Sequence, residues 1–221
     1  AKYQSLLKVE EGEFTEDIEE LSFDQIPILD RDTAAILGDR KMGSMVDMVS
    51  QFDVDDIYSQ INYQDRPYRV TPLKYASIIK WFTNRSEGIP AYIRINMADQ
   101  TTELVQLEEG IRYTTSEHLN RNIYRHLRFA HPTYIYGELS FEIDEEGVPY
   151  WIAPVKKFNI GLFGGETVGK VVICNAVNGE MKTYDIEDVP QWVDRVYSAD
   201  LLVDLFDYYG TLKHGFWNSV L

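Results

Sequence analysis

Cysteine is almost absent from this chain, since Cys174 is the single one among 221 residues. One thiol cannot form an intrachain disulfide and cannot build a cysteine-based metal cluster. Cys174 lies within the apolar, β-branched stretch Val171–Ala176, which predicts a buried, inert thiol rather than a nucleophile. A single cysteine fits the cytosol, and equally the exported proteins of organisms that rarely use disulfides.

Positive charge is also scarce. The chain has 21 Lys and Arg residues against 36 Asp and Glu residues, a formal net charge of −15. The acidic residues are dispersed, with one denser patch at Glu10–Glu20 that we expect to be a solvated loop or edge. Because phosphate backbones and anionic lipids both select for Lys and Arg, this composition disfavours nucleic-acid binding and electrostatic membrane docking. A basic partner and bound cations remain open alternatives.

Long hydrophobic runs are lacking as well. No stretch approaches the roughly 18 to 20 apolar residues that a membrane-spanning helix needs, and no signal peptide is recognisable. The chain starts at Ala1 and ends on the apolar sequence G-F-W-N-S-V-L. We therefore expect it to be a fragment of a longer protein.

What is present suffices for a full hydrophobic core, because 44% of the residues are hydrophobic and 13% are aromatic. The strongest local signal is a β-hairpin with strands at Val171–Ala176 and Met181–Ile186, joined by an Asn178-Gly179 turn. Pro190 ends this pairing, and the segment around Trp192 leads into a predicted helix at Leu201–Phe206.

Weaker alternating and helical patterns fill the rest of the chain. We predict three helices. The first is capped by Asp30 or Asp32 and ends at Gly38, and the second is capped by Thr71, has Pro72 at its first position and carries an apolar stripe through Ile79 and Phe82. The third is capped by Ser116, with Leu119, Ile123 and Leu127 facing inward. We predict strands at Tyr3–Val9, Val46–Val54, Ile57–Tyr63, Ala91–Met97 and Leu104–Leu107. A further hairpin pairs Glu138–Ile143 with Val148–Val155, and in it Phe141 faces the core and Glu142 faces solvent.

These elements predict an α+β fold, in which antiparallel hairpins form a sheet with helices packed on one face. An internal duplication is a further hypothesis: when Tyr92 is aligned with Val171, a shift of 79 residues, Asn96 meets Asn175. Residues 1–221 are then one domain fragment. If it has two similar halves, Pro132–Gly137 is the boundary, which gives sub-lobes 1–132 and 133–221.

Several motifs suggest chemistry without supporting it. Gly164–Lys170 matches the start of a phosphate-binding loop, but Val171 stands where Ser or Thr is required and a strand follows where a helix is needed. The four histidines lack metal-ligand spacing, the acidic patch lacks calcium-loop spacing, and no nucleophile motif is present. We predict no catalytic residue, no metal site and no cofactor, and the enzyme question stays open because carboxylate pairs occur in turns.

An aromatic and charged cluster near the end of the chain is the candidate partner-binding site. Trp, Tyr and Arg dominate the energetics of protein interfaces. The alternative is that Trp192 packs under the hairpin and Asp194 pairs with Arg195 or another neighbouring residue. The candidate residues are Trp192, Asp194, Arg195, Tyr197, Tyr208 and Tyr209.

Lys170–Tyr184 resembles the hairpin of the PepSY-type domain, a small extracytoplasmic module, with Asn175 in place of the usual Asp and Asn178 in place of Thr. More broadly, the chain resembles the extracytoplasmic regions of uncharacterised multi-pass bacterial membrane proteins. The stretches that carry this second resemblance are Lys2-Tyr3, Leu37–Arg40, Pro67–Trp81, Phe141–Trp151 and Val189–Arg195.

The resemblance implies a cell-surface or periplasmic location and a membrane anchor in segments outside this chain. We therefore expect a non-enzymatic, extracytoplasmic binding or regulatory domain of a membrane-anchored bacterial protein, built from PepSY-like hairpin and helix units. Its partner would be an envelope protein, a peptide or a cell-wall component. The alternatives are a regulator or inhibitor of an envelope peptidase, which the PepSY resemblance implies, and a hydrolase that uses carboxylates or histidines. A purely structural spacer is a third.

Overall fold

The computed structural model of the protein describes residues 29–158 and 166–194. The predicted strand Tyr3–Val9, the acidic patch Glu10–Glu20 and the predicted helix Leu201–Phe206 lie outside the described residues. The helices are α1 (Arg31–Gly43), α2 (Val46–Val49), α3 (Ile78–Asn84) and α4 (Ile123–Ala130). The strands are β1 (Phe52–Val54), β2 (Ser59–Tyr63), β3 (Arg66–Tyr75), β4 (Ile89–Asn96), β5 (Thr102–Ile111), β6 (Ser140–Ile143), β7 (Pro149–Phe158), β8 (Glu166–Asn175) and β9 (Met181–Asp185).

The strands form two antiparallel sheets, and the predicted α+β class is confirmed. In the first sheet β2, β3, β4 and β5 pair in chain order, and β1 pairs with the far end of β3. In the second sheet β6, β7, β8 and β9 pair in chain order. Each sheet therefore contains a four-stranded meander, which we call the first meander (β2–β5) and the second meander (β6–β9).

One hydrophobic core joins the two sheets. Phe141 of β6 packs against Tyr92 of β4 at a ring-centroid distance of 6.0 Å and against Trp151 of β7 at 5.3 Å. The indole N–H of Trp151 also donates to the carbonyl oxygen of Tyr113 at 2.8 Å. The predicted boundary at residues 132–137 falls between α4 and β6, but residues from both sides of it share this core. Helices α1 and α4 contribute Ala34, Met42, Ile123 and Leu127 to it.

The predicted helix at Thr71 is wrong, because these residues belong to β3. Thr71 is fully buried, and its hydroxyl donates to the carbonyl oxygen of Asp55 at 3.1 Å. The hairpin turn before β3 consists of Gln64 and Asp65, whose positive φ angles of 51° and 59° suit a tight two-residue turn. That turn commits the following residues to a strand, so pairing with β2 and β4 overrides the local helix signal of Pro72.

Two predicted helix ends also differ from the structure. Asp30 caps α1 as predicted, with its carboxylate accepting from the Thr33 N–H at 2.7 Å, but the helix continues past Gly38 to Gly43. Gly38 instead gives room to the hydroxyl of Tyr58, which a Cβ would meet. The predicted cap Ser116 accepts from the backbone N–H of Tyr75, and Asn122 caps α4 instead.

The strand predictions are partly right. The hairpin of β8 and β9 and the hairpin of β6 and β7 are confirmed. The predicted strand Val46–Val54 is wrong in its first half, which forms α2. The predicted solvent-facing position of Glu142 is wrong, because the residue is only 1% exposed. Its buried carboxylate accepts from the Ser140 hydroxyl and from the Asp194 N–H.

Candidate binding surface

Helix α3 presents Ile78, Ile79 and Phe82 to solvent. Ser77 caps the helix by accepting a hydrogen bond from the Lys80 N–H at 3.3 Å. Ile78, Ile79 and Phe82 are 65%, 71% and 64% exposed. No residue of this fully described helix is buried. A short surface helix is normally stabilised by burying its apolar face, so the outward orientation of these side chains marks α3 as a candidate binding element.

Trp81 ties α3 to the rest of the molecule. Its indole N–H donates to the carboxylate of Glu117 at 2.6 Å. Glu117 is 3% exposed and also accepts from the Tyr75 hydroxyl at 3.3 Å. Burial, reinforced by the neighbouring Glu117 carboxylate, raises the pKa of Tyr75 above its usual range, which keeps the phenol protonated as the donor. The Glu117 carboxylate is therefore an anchor for α3.

A guanidinium group covers part of the α3 surface. The Arg85 guanidinium carbon lies 5.3 Å from the ring centroid of Trp81 and 4.9 Å from that of Phe82. Such stacking leaves the N–H groups of an arginine available to a carboxylate while its planar face rests on the aromatic rings. The backbone carbonyl of Arg85 accepts from the Arg121 guanidinium at 2.7 Å, which joins α3 to the segment before α4.

An open pocket of about 290 Å³ adjoins this helix. Its connection to α3 is the His118 ring, whose centroid is 4.5 Å from that of Trp81. Leu119, at the start of a short 3-10 turn, is 62% exposed and has a φ angle of +58°. A branched residue pays for this left-handed conformation, and two hydrogen bonds from the Asn122 side chain to backbone carbonyls hold the loop. The pocket is lined by Glu117, His118, Leu119, Asn122 and Arg125.

Together these residues form a surface that is apolar at its centre and basic at its edge. The Glu117 carboxylate, which lines the pocket, is buried and hydrogen-bonded to Trp81 and Tyr75. The basic edge stands out in a chain with a net charge of −15. We call the following set the α3 face: Ile78, Ile79, Phe82, Arg85, His118, Leu119, Arg121 and Arg125.

The sequence-predicted site is only partly within the described residues. Trp192 is half-buried and packs on Tyr150 at a ring-centroid distance of 5.0 Å. Asp194 lies where the two sheets meet: its carboxylate accepts from the Asn62 N–H of β2 at 2.5 Å, and its own N–H donates to Glu142 of β6 at 2.9 Å. Trp192 thus packs on β7, and Asp194 links β2 to β6. The remaining candidates, Arg195, Tyr197, Tyr208 and Tyr209, lie outside the described residues.

Sequence reasoning missed the α3 face because it assigned Ile79 and Phe82 to a buried stripe of a helix beginning at Thr71. The predicted inward position of Leu119 is wrong for the same reason, since helical spacing does not say which face is covered. A usable signal was present in the composition of α3. Residues 78–85 contain an adjacent Trp-Phe pair and an arginine, which are types enriched at interfaces.

The histidines in the described part of the chain have structural contacts. His126 Nε2 lies 2.8 Å from the carbonyl oxygen of Gly179, and His131 stacks on Tyr134 at 4.6 Å. Within residues 29–158 and 166–194 there is no group of three or more His, Cys, Asp or Glu residues that could hold a metal ion. Burial raises the pKa of Cys174 to about 12, so its thiol is unreactive at neutral pH, and its predicted burial is confirmed.

The glycine-rich motif does not form a phosphate-binding loop. Its last residues, Gly169 and Lys170, lie inside β8, and Lys170 pairs with Asp185 across to β9 at 2.7 Å. A phosphate-binding loop requires a helix N-terminus at this point. Of the helices that the structure describes, none is long and apolar enough to cross a membrane.

Comparison with known proteins gives no match: no family model, curated protein or solved structure matches the chain.

Proposed function

We propose that this chain is a non-enzymatic, extracytoplasmic binding or regulatory domain of a membrane-anchored bacterial protein, and that its partner docks on the α3 face. The location and the anchor are supported by the sequence resemblance described above. The binding role rests on one observation, the outward display of Ile78, Ile79 and Phe82 on a helix whose Trp81 packs on the core.

The chemistry of the α3 face supports a particular class of partner. Exposed apolar side chains gain by burial, about 25 cal/mol for each Å² removed from water. Arg85, Arg121 and Arg125 at the edge favour carboxylates, which arginine binds with paired hydrogen bonds. The partner is therefore an envelope protein or peptide that presents an acidic segment with apolar side chains.

The test is affinity capture from a bacterial envelope extract, with the full chain as bait and quantitative mass spectrometry as the readout. The test variant is Ile79→Ser with Phe82→Ser. The matched control is Ile36→Ser with Val49→Ser, which removes two other exposed apolar side chains, 59% and 43% exposed. Near-ultraviolet circular dichroism and a urea melt confirm that both variants fold.

We expect a specific protein that the wild type and the control capture and the test variant loses at least tenfold. Purified partner must then bind the wild type directly and saturably. If that partner is a peptidase whose activity the domain changes, the regulatory form of the proposal is supported. Equal capture by all three proteins, or turnover of envelope substrates by the purified domain alone, would overturn the proposal.

A further inference from the structure

We propose that residues 10–23 of this same chain dock on the α3 face and compete there with the external partner. This inference rests on the proposed function, because it names a regulator of the same surface. Residues 10–23 lie outside the described residues, so the case for them is made from their sequence and from the surface that the structure shows.

The segment has the composition that the α3 face favours. It contains seven acidic residues and no Lys or Arg. Phe14, Ile18 and Leu21 recur at intervals of four and three residues, the spacing that places side chains on one face of a helix. A segment with an apolar stripe flanked by carboxylates complements a surface with an apolar centre and an arginine edge.

The segment is also within reach of the α3 face. The described chain begins at Leu29, whose carbonyl oxygen accepts from the Arg69 Nε–H on β3 at 3.2 Å. From Arg69 to Tyr75, near α3, six residues of strand advance about 20 Å. The eight residues from Leu21 to Leu29 can span at most about 29 Å. Because this span exceeds the length of β3 between Arg69 and Tyr75, the stripe of Phe14, Ile18 and Leu21 can reach α3.

Such an arrangement makes the segment a tethered competitor. A tethered segment acts at an effective concentration that can reach the millimolar range, so even weak docking occupies the face much of the time. An external partner then binds with an apparent affinity reduced by the fraction of molecules whose α3 face is uncovered. Substitutions in the segment should consequently strengthen partner capture, whereas substitutions in the face weaken it.

Disulfide trapping in the full chain tests this contact. Because Cys174 is buried, it does not compete with the two introduced thiols for disulfide formation. The test pair is Ile18→Cys with Ile79→Cys. The control pair is Ile18→Cys with Ile36→Cys, where Ile36 is also an exposed apolar residue, at 59%. Since Ile36 is closer to Ile18 in the sequence, loop-closure entropy favours the control. A faster reaction of the test pair therefore cannot come from chain length.

We expect the test pair to form its intramolecular disulfide at least tenfold faster than the control pair under the same mild oxidant. Arg85→Glu with Arg125→Glu in the test pair should slow the reaction at least fivefold, with the fold checked by circular dichroism. Equal or slower trapping of the test pair overturns the inference. Covalent dimers on a non-reducing gel would also overturn it, because they place a second copy on the face.

The outcomes separate this inference from the proposed function. If trapping fails but the α3-face variant still loses its partner, the inference falls and the proposed function stands. If trapping succeeds but no partner depends on the α3 face, the proposed function falls and the contact is internal packing only. If both hold, Phe14→Ser with Ile18→Ser should increase capture of the partner at least threefold.

Discussion

The first and second meanders follow the same path with different side chains. β3 contains Pro67–Pro72 with the sequence P-Y-R-V-T-P, and β7 contains Pro149–Pro154 with the sequence P-Y-W-I-A-P. The strand pairing is equivalent as well, since Tyr68 is opposite Asn96 and Tyr150 is opposite Asn175. The hypothesis of an internal duplication thus gains a structural counterpart in the two sheets.

The turns that follow are alike down to their hydrogen bonds. Asn96 Oδ1 accepts from the Ala98 N–H at 2.8 Å, and Asn175 Oδ1 accepts from the Val177 N–H at 2.8 Å. Each turn then places a residue at positive φ, +62° in the first and +79° in the second. An asparagine that satisfies the backbone of a tight turn fixes the register of the strands on both sides. The shared path is therefore accompanied by shared turn chemistry.

What differs is what each meander buries. Trp151 of the second meander is fully buried in the core between the sheets. Its counterpart Arg69 in the first meander is half-buried, and its Nε–H donates to the Leu29 carbonyl oxygen. The same strand position therefore faces the shared core in one meander and the chain leading into α1 in the other. A repeated backbone does not require repeated packing.

The largest effect on stability should come from truncating the two side chains that differ, Trp151 and Arg69. Trp151→Ala removes a fully buried indole and should destabilise the protein by about 3 to 5 kcal/mol. Arg69→Ala, at the equivalent position, should cost about 1 kcal/mol because it removes one hydrogen bond of a half-buried side chain. Urea denaturation followed by circular dichroism measures both. Equal costs would show that the two positions pack alike.

The positive-φ positions of the two turns should respond differently to alanine. Gly179→Ala should cost about 2 to 4 kcal/mol, since it combines an unfavourable φ with overlap of its Cβ and the Tyr113 ring. Gln100→Ala should change stability by less than about 0.5 kcal/mol, because one side chain with a Cβ replaces another at an exposed site. Thermal melts of the two variants make the comparison, and a tolerated Gly179→Ala would contradict the observed closeness of Tyr113.

The two turn asparagines should matter about equally. Asn96→Ala and Asn175→Ala should each cost about 1 to 2 kcal/mol, because each leaves two backbone N–H groups without their acceptor. Asn96 should be at the upper end since it is buried. Hydrogen exchange at Ala98 and Val177 locates the loss. Aspartate at either position keeps the acceptor and serves as the control.

The smallest effect concerns Asp194, which links the two meanders. Burial raises the pKa of its carboxyl above the usual value, although the Asn62 N–H partly offsets this. The folded state therefore binds a proton more readily than the unfolded state, and the Asp194 contribution to stability rises as pH falls from 7 toward 4. Asp194→Asn should be slightly more stable than the wild type at pH 7, with the difference shrinking at pH 4.5. Urea midpoints at the two pH values measure it. A difference that grows on acidification would show that the charged form is the favoured one.

Sequence reasoning predicted the fold where local chemistry decides the structure. The β8–β9 hairpin and the Asp30 cap depend on neighbouring residues, and both are confirmed. The Thr71 helix failed because strand pairing with β2 and β4, which lie elsewhere in the sequence, decides that segment. The alignment with a shift of 79 residues pairs Asn96 with Asn175, which occupy equivalent positions in the two meanders. That alignment does not include the repeated proline-tyrosine motif of β3 and β7.

The α3 face lay beyond the reach of pattern reasoning for a different reason. An apolar helical stripe looks the same in the sequence whether a core or solvent covers it. The position of β3 and Glu117 around Trp81 determines that Ile79 points outward. Predicting the surface would have required the sheet first.

The location of α3 in the chain has an evolutionary consequence. It lies in the connection between β3 and β4, residues 76–88, and the second meander makes the corresponding connection with residues 159–165. The connection is anchored through Trp81, and a longer connection at this point costs little closure entropy. The connection can therefore change in length while the sheet is retained. An insertion at this single point would add a recognition element without changing the strand order of the sheet.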